Sequence, residues 1–174
     1  MSDALSILAP HFFQVAYVVP DLARAEAWFE RVLGVNHFER LEGVVLGDGC
    51  RHRGAASNGV LDLSLGYLGD TQLELVRPAG GVTLHGEFLE TGGRGLHHVA
   101  FAVPDFAAAT ARLTAELGPP AADGVLAGGM RVEFAYYECT EAGASFVEVL
   151  GFDEAARAFM SDLKEKSRRA TARR

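Results

Sequence analysis

The sequence predicts an α+β fold made of two copies of one strand–helix–strand–strand–strand unit. Three observations carry this. The stretch QVAYVVPD at Gln14–Asp21 returns as HVAFAVPD at His98–Asp105. The spacing persists, because Gly34 and Gly118 close the following segments at the same offset, so strand, turn and helix match without insertion or deletion. After each helix come three apolar runs of strand length.

Each unit opens on an apolar strand and a Val-Pro-Asp turn whose Asp can cap a helix N-terminus, and the helix ends at glycine. The first helix is expected from about Leu22 to Leu33, with Leu22, Ala25, Phe29 and Val32 on one face; Phe106, Ala109, Leu113 and Leu117 do the same in the second. Strands are expected at His37–Leu46, Val60–Leu68 and Gln72–Arg77 in the first unit. Those of the second are Gly124–Ala127, Met130–Tyr137 and Ser145–Leu150. Between the units lie a short helical piece around Leu84–Glu90 and a turn at Gly92–Gly95, which lacks the Lys-Ser/Thr of a phosphate loop. A last amphipathic helix, Asp153–Leu163, packs Phe159 and Leu163 on the body. The division is a first module at 12–77, a connector at 78–95, a second module at 96–151, and a C-terminal helix with a basic tail at 152–174, all within one domain.

The 174 residues are 49% hydrophobic, enough for one good core, and the net charge is -7. The tail KEKSRRATARR is basic, so the body is more acidic still, which excludes nucleic acid as a partner. That tail reads as a solvated, frayed terminus. Cys50 and Cys139 are far apart and form no CxxC pattern, which argues against a disulfide framework or a Cys-rich zinc site. No basic leader and no run of ~18 apolar residues is present, so the chain reads as a soluble cytoplasmic protein away from membranes.

Polar letters inside the apolar strands carry the chemistry. Alternation places Gln14, Ala16 and Val18 on one face, with His98, Ala100 and Ala102 as their counterparts, so small residues surround one polar group as in a cavity wall. The strands TQLELV and SFVEVL each set a glutamate, Glu74 and Glu148, among apolar neighbours, where an unpaired carboxylate costs several kcal/mol. Singly, Gln14 fits a satisfied strand amide, His98 a core histidine, and the glutamates a solvated sheet face. If the units pair about a pseudo-twofold axis, all four converge on one mixed N/O site. It suits one divalent ion, with Zn, Ni, Co, Mn and Fe(II) all open. Arg51, His52 and Arg53 form a basic knot suited to a substrate carboxylate or phosphate, a solvated loop being the plainer reading. Asp62 with Ser64, and Arg131 with Glu133 and Tyr137, are candidates either for the cup lining or for solvent.

At these residues the chain resembles the vicinal oxygen chelate superfamily, which includes glyoxalase I, methylmalonyl-CoA epimerase, extradiol dioxygenases and the fosfomycin and bleomycin resistance proteins. The resemblance spans about Phe12 to Leu150 and rests on QVAYVVPDLARAEAWFERVLGV, TQLELVRP and EFLETGGRGLHHVAFAVPD. It implies two βαβββ modules forming a cupped eight-stranded mixed sheet around a metal. Carried over by position, the ligands fall on Gln14, Glu74, His98 and Glu148. That set is similar to glyoxalase I, whereas GLHHVAFAV is similar to methylmalonyl-CoA epimerase. The longer GDGCRHRGAASNG departs from both, and the epimerase's second catalytic glutamate finds no place there.

The expectation is a metal-dependent isomerase or lyase that removes a proton next to a carbonyl, with Glu148 as base and Glu74 as the symmetric group that returns the proton. The substrate would be a small carbonyl compound or acyl-CoA, and family members complete such sites within one chain or across a homodimer. A protein that binds a metabolite or drug without chemistry is the alternative. An extradiol-type dioxygenase fits less well, because that chemistry uses two histidines and one carboxylate.

Overall fold

The computed structural model describes residues 7–126 and 129–172. In chain order these form β1 (Phe12–Val18), α1 (Leu22–Leu33), β2 (Phe38–Val45), β3 (Arg51–His52), β4 (Ala55–Ala56), β5 (Val60–Leu68), β6 (Thr71–Gly80) and α2 (Leu84–Glu90). There follow β7 (Gly95–Ala102), α3 (Phe106–Leu117), β8 (Ala122–Leu126), β9 (Val132–Glu138), β10 (Phe146–Phe152) and α4 (Glu154–Ala172). Ala127, expected to end a strand, lies outside the described residues.

All strands join one curled mixed sheet in the order β2-β5-β6-β1-β7-β10-β9-β8-β3-β4. The first strands of the two repeats, β1 and β7, meet antiparallel at the centre, and each is flanked by the last strand of its own unit running parallel to it. That is the predicted α+β architecture with one addition. The sheet has ten strands instead of eight, because the GDGCRHRGAASNG insertion folds into the β3–β4 hairpin and pairs with β8 of the other module. Its two turn residues, Arg53 and Gly54, have φ of 48° and 80°, as a tight hairpin with matching twist requires. Gly124 makes the junction possible: a Cβ there would lie 2.6 Å from Cys50 Sγ and 2.7 Å from its Cα.

The repeat dictates the packing. Asp21 accepts from Arg24 N at 3.0 Å and Asp105 from Ala108 N at 2.9 Å, so each Val-Pro-Asp turn starts a helix with a cap that contributes about 1 kcal/mol. Alternation then sends the bulky strand residues to the convex face. Tyr17, Leu73 and Leu75 meet Leu22 and Phe29 of α1, while Val149, Tyr137 and Phe101 meet Ala109 and Leu113 of α3. Each fully buried Leu or Val of these layers contributes roughly 1.5 to 3 kcal/mol.

The concave face is roofed at its ends by α2, through Phe88 and Leu89, and by α4, through Phe159, Met160 and Leu163. Helix α4 is longer than predicted. The tail expected to fray is helical to Ala172, because Ser167 is buried, Lys164 and Arg168 both reach Asp70 at 2.9 Å, and Asp162–Lys166 and Glu165–Arg169 pair one turn apart. Among the described residues no helix is long and apolar enough to cross a membrane.

Candidate functional site

Four strands at the middle of the sheet aim polar side chains into the cup. On β1 and β7 the inner positions are Gln14 with Ala16 and His98 with Ala100; both alanines are fully buried. Register supplies the carboxylates: Glu74 stands beside Ala16, and Glu148 stands beside Ala100. The two glutamates are thus equivalent across the β1–β7 seam, although their spacing in the chain differs from that of the repeat. A larger residue at Ala16 or Ala100 would fill the space they use.

His98 is completely buried, and its Nε2 lies 3.1 Å from Glu148 Oε2 and 3.4 Å from Glu74 Oε2. These are ion-pair distances, yet His98 Nε2 has no aligned hydrogen-bond partner among the described residues. Burial pulls the imidazole pKa down, but Glu148 and Glu74 outweigh it and leave His98 raised to about 9. Burial raises the Glu74 pKa, and the charge of Glu148 adds to this while His98 opposes it. Gln14 Nε2 donates to Gln72 Oε1 at 2.7 Å, and Gln72 in turn donates to Tyr67 Oη at 3.2 Å. That chain fixes the amide and leaves Gln14 Oε1 buried with no partner among the described residues, a state worth about 1 to 3 kcal/mol of lost stability unless a ligand meets it.

By type, these donors are ones a divalent cation accepts. Three oxygens and one imidazole nitrogen form the hard-to-borderline mixture such ions accept. Separations of 3.1 and 3.4 Å suit neighbouring ligands on an ion with bonds of ~2.0–2.2 Å. Gln14 lines the same cavity as the two carboxylates.

Three further residues, missed by the sequence reading, complete the surroundings. His97 is left unpaired where Ala16 faces His98 and Tyr17 faces Leu96, so β7 bulges there and turns both histidines to the concave side. His97 Nδ1 meets His98 Nδ1 at 3.0 Å. Burial and the charge of His98 lower the His97 pKa to about 3, partly offset by the Leu84 carbonyl. Tyr136 sits opposite Glu148 on β9, with its ring 5.1 Å from that of His98. Burial first, then Glu148 and Glu74, push its hydroxyl well above its usual range. His85, near the start of α2, stacks on His97 with ring centroids 4.6 Å apart, and the ligand atoms of His85, His97 and His98 lie within 4.8 Å of one another. The adjacent pair in GLHHVAF was the one available signal for His97; strict alternation points its side chain the wrong way.

Gln14, Glu74, Glu148, His85 and Tyr136 line a cavity of about 530 Å³ inside the cup. Arg51 and His52 of the hairpin also line it, whereas Arg53 does not. His52 faces Glu87 at 3.0 Å, and Arg53 bridges Glu87 at 2.9 Å and Glu138 at 3.1 Å, tying the hairpin to α2 and β9. The remaining candidates lie elsewhere. Asp62 accepts from Gly43 N at 2.8 Å and pairs with Arg77, because the register of β5 gives the cup Leu61, Leu63 and Leu65 instead. Arg131 pairs with Glu133 at 2.9 Å outside the cavity. Tyr137 points to the convex side, where its hydroxyl meets Thr114 Oγ1 at 3.0 Å beneath α3.

Comparison with solved structures returns the same fold. A methylmalonyl-CoA epimerase from Mycobacterium tuberculosis is similar with a TM-score of 0.56 at 18% identity, covering 85% of this chain and 91% of that one. A Streptomyces coelicolor methylmalonyl-CoA epimerase variant in complex with 2-nitronate-propionyl-CoA gives 0.53 at 17%, covering 84% and 96%. A hypothetical protein from Bacillus halodurans gives 0.54 at 14%, covering 82% and 94%. Comparison with curated proteins returns no match. The model of the glyoxalase/bleomycin resistance protein/dioxygenase superfamily matches residues 13–136, and by that match, together with the duplicated modules and their cupped sheet, the chain belongs to this superfamily.

Proposed function

We propose that the protein is an isomerase or lyase that removes a proton from the carbon next to a carbonyl, acting on a small carbonyl compound or acyl-CoA. Gln14, Glu74, His98 and Glu148 would hold one divalent ion. The observation that carries the reading is the convergence of Glu148 and Glu74 on His98 Nε2, at 3.1 and 3.4 Å, in the floor of a ligand-sized cavity.

Strand order places the two carboxylates on opposite sides of the β1–β7 seam. A substrate lying over the seam therefore meets one on each side. Glu148 accepts the α-proton, and the electron pair of the broken C–H bond moves toward the carbonyl oxygen. A bound divalent ion would supply Lewis-acid stabilisation of the charge that grows there, worth several kcal/mol. Glu74 delivers a proton from the other side, so return to the same carbon inverts it and return to its neighbour isomerises the substrate. His97, through its 3.0 Å contact, holds the His98 ring with Nε2 toward the carboxylates. The epimerase neighbours support this reading through their fold.

The test is solvent deuterium incorporation at the α-carbon, screened over carbonyl compounds and acyl-CoA esters with metal content measured on the same samples. Metal-dependent exchange with one substrate class is expected. Tight binding without any exchange would replace this reading with that of a sequestering protein.

A further inference from the structure

His85 is a buried polar residue for which the fold gives no internal reason. It is 3% exposed, lines the cavity, and neither ring nitrogen has a hydrogen-bond partner among the described residues. Leu84 beside it is equally buried, so a hydrocarbon side chain suits the packing of this turn. The ring is held from two sides, stacked on His97 at 4.6 Å and edge-on to Tyr136 at 5.7 Å. A neutral imidazole offers one donor and one acceptor, and here both are left for whatever enters the cup.

The walls above it set the character of that ligand. Leu41, Val44, Leu61 and Leu63 from the first module face Leu126 and Phe134 from the second across the cavity. Of the two arginines that line the cavity, Arg40 is committed to Glu26 through bonds of 2.8 and 2.6 Å. Arg51 stands exposed on the hairpin.

We infer that the cup takes a carbonyl compound with a bulky apolar body, and that His85 hydrogen-bonds an oxygen of this ligand beside the Glu74–His98–Glu148 cluster. The inference rests on the proposed proton-abstraction site and names the substrate class that site would serve.

Calorimetric binding to the metal-loaded protein tests it without requiring turnover. The probes are straight-chain and phenyl-substituted acyl thioesters and the matching thioethers that lack the carbonyl oxygen. Each added methylene should tighten binding by up to ~4-fold until the cup is full. His85→Leu should weaken the thioesters about tenfold and leave the thioethers unchanged. It should also hold its metal and unfold in urea at an equal or higher concentration, because it buries a hydrocarbon in place of two unmet polar atoms.

No gain with chain length, or an equal effect of His85→Leu on thioester and thioether, would overturn the inference. Loss of metal in His85→Leu would make His85 a ligand of the ion and overturn it too. Probes that bind as expected yet show no α-proton exchange support the ligand class while removing the proton-abstraction reading.

Discussion

His97 and His98 are neighbours on one strand, yet their Nδ1 atoms meet at 3.0 Å inside the same cup. The bulge that permits this leaves His98 Nε2 facing the carboxylates and commits its other nitrogen to His97. A partner of this kind fixes ring orientation and tautomer. His97→Ala should therefore lower divalent metal affinity by ~10- to 100-fold, and His97→Gln should lower it less. Chelator competition measures this, and unchanged affinity in His97→Ala would remove the positioning role.

Glu148→Gln keeps an oxygen donor but cannot accept a proton. Solvent exchange should drop by ~100- to 10,000-fold with most of the metal retained. Glu74→Gln should instead bias one stereochemical direction. Wild-type exchange in metal-loaded Glu148→Gln would move the base assignment to Glu74.

The buried histidines make the metal-free protein sensitive to acid. His97, lowered to about 3, and His85, also lowered, are uncharged when folded but protonate near their ordinary pKa when unfolded. The unfolded chain then binds more protons, so stability falls as pH drops below about 6.5, with a limiting slope of ~1.4 kcal/mol per pH unit per histidine. His98, raised to about 9, acts oppositely, and its contribution, complete below about 6.5, is lost as pH rises toward 9. Urea midpoints across this range should peak near neutrality. His85→Leu should flatten the acid limb, and an unchanged limb would refute the assignment.

Gly124→Ala should separate the hairpin from β8, since the added carbon meets Cys50 at 2.6 Å. A loss of about 1 to 3 kcal/mol is expected from such overpacking, together with faster proteolysis within 47–59. Wild-type stability and proteolysis would show that the junction yields without cost.

Of the basic knot, Arg51→Ala should raise KM for substrates with an anionic tail, because Arg51 lines the cavity. Arg53→Ala should act on stability by at most about 1 kcal/mol, since its ion pairs with Glu87 and Glu138 are exposed. A KM effect from Arg53→Ala alone would reverse these roles.

What the sequence made legible follows from periodicity. The repeat, the capped helices and the inward positions of Gln14, Glu74, His98 and Glu148 all obey regular alternation; His98 stands within ion-pair distance of both glutamates, and Gln14 lines the same cavity as they do. Residues that break the period stayed hidden. His97 changes face at a bulge, Tyr136 and Tyr137 are adjacent and only pairing decides which enters the cup, and Asp62 was one residue out of register with the leucines that line it. His85 required a tertiary fact, the docking of α2 over the concave face. The hairpin lay beyond pattern altogether, because β3 finds its partner in the other module.

That hairpin also decides what the molecule can stick to. Without it, β8 would end the sheet with unpaired N–H and C=O groups, a template for another chain. With it, the sheet on that side ends at Ala55–Ala56, too short to anneal a foreign strand. The opposite border, β2, is broken by a register shift between Leu41 and Val44 and carries Glu39, Arg40 and Glu42. Both borders are thus blunted, and growth of the sheet by strand addition is blocked at each end.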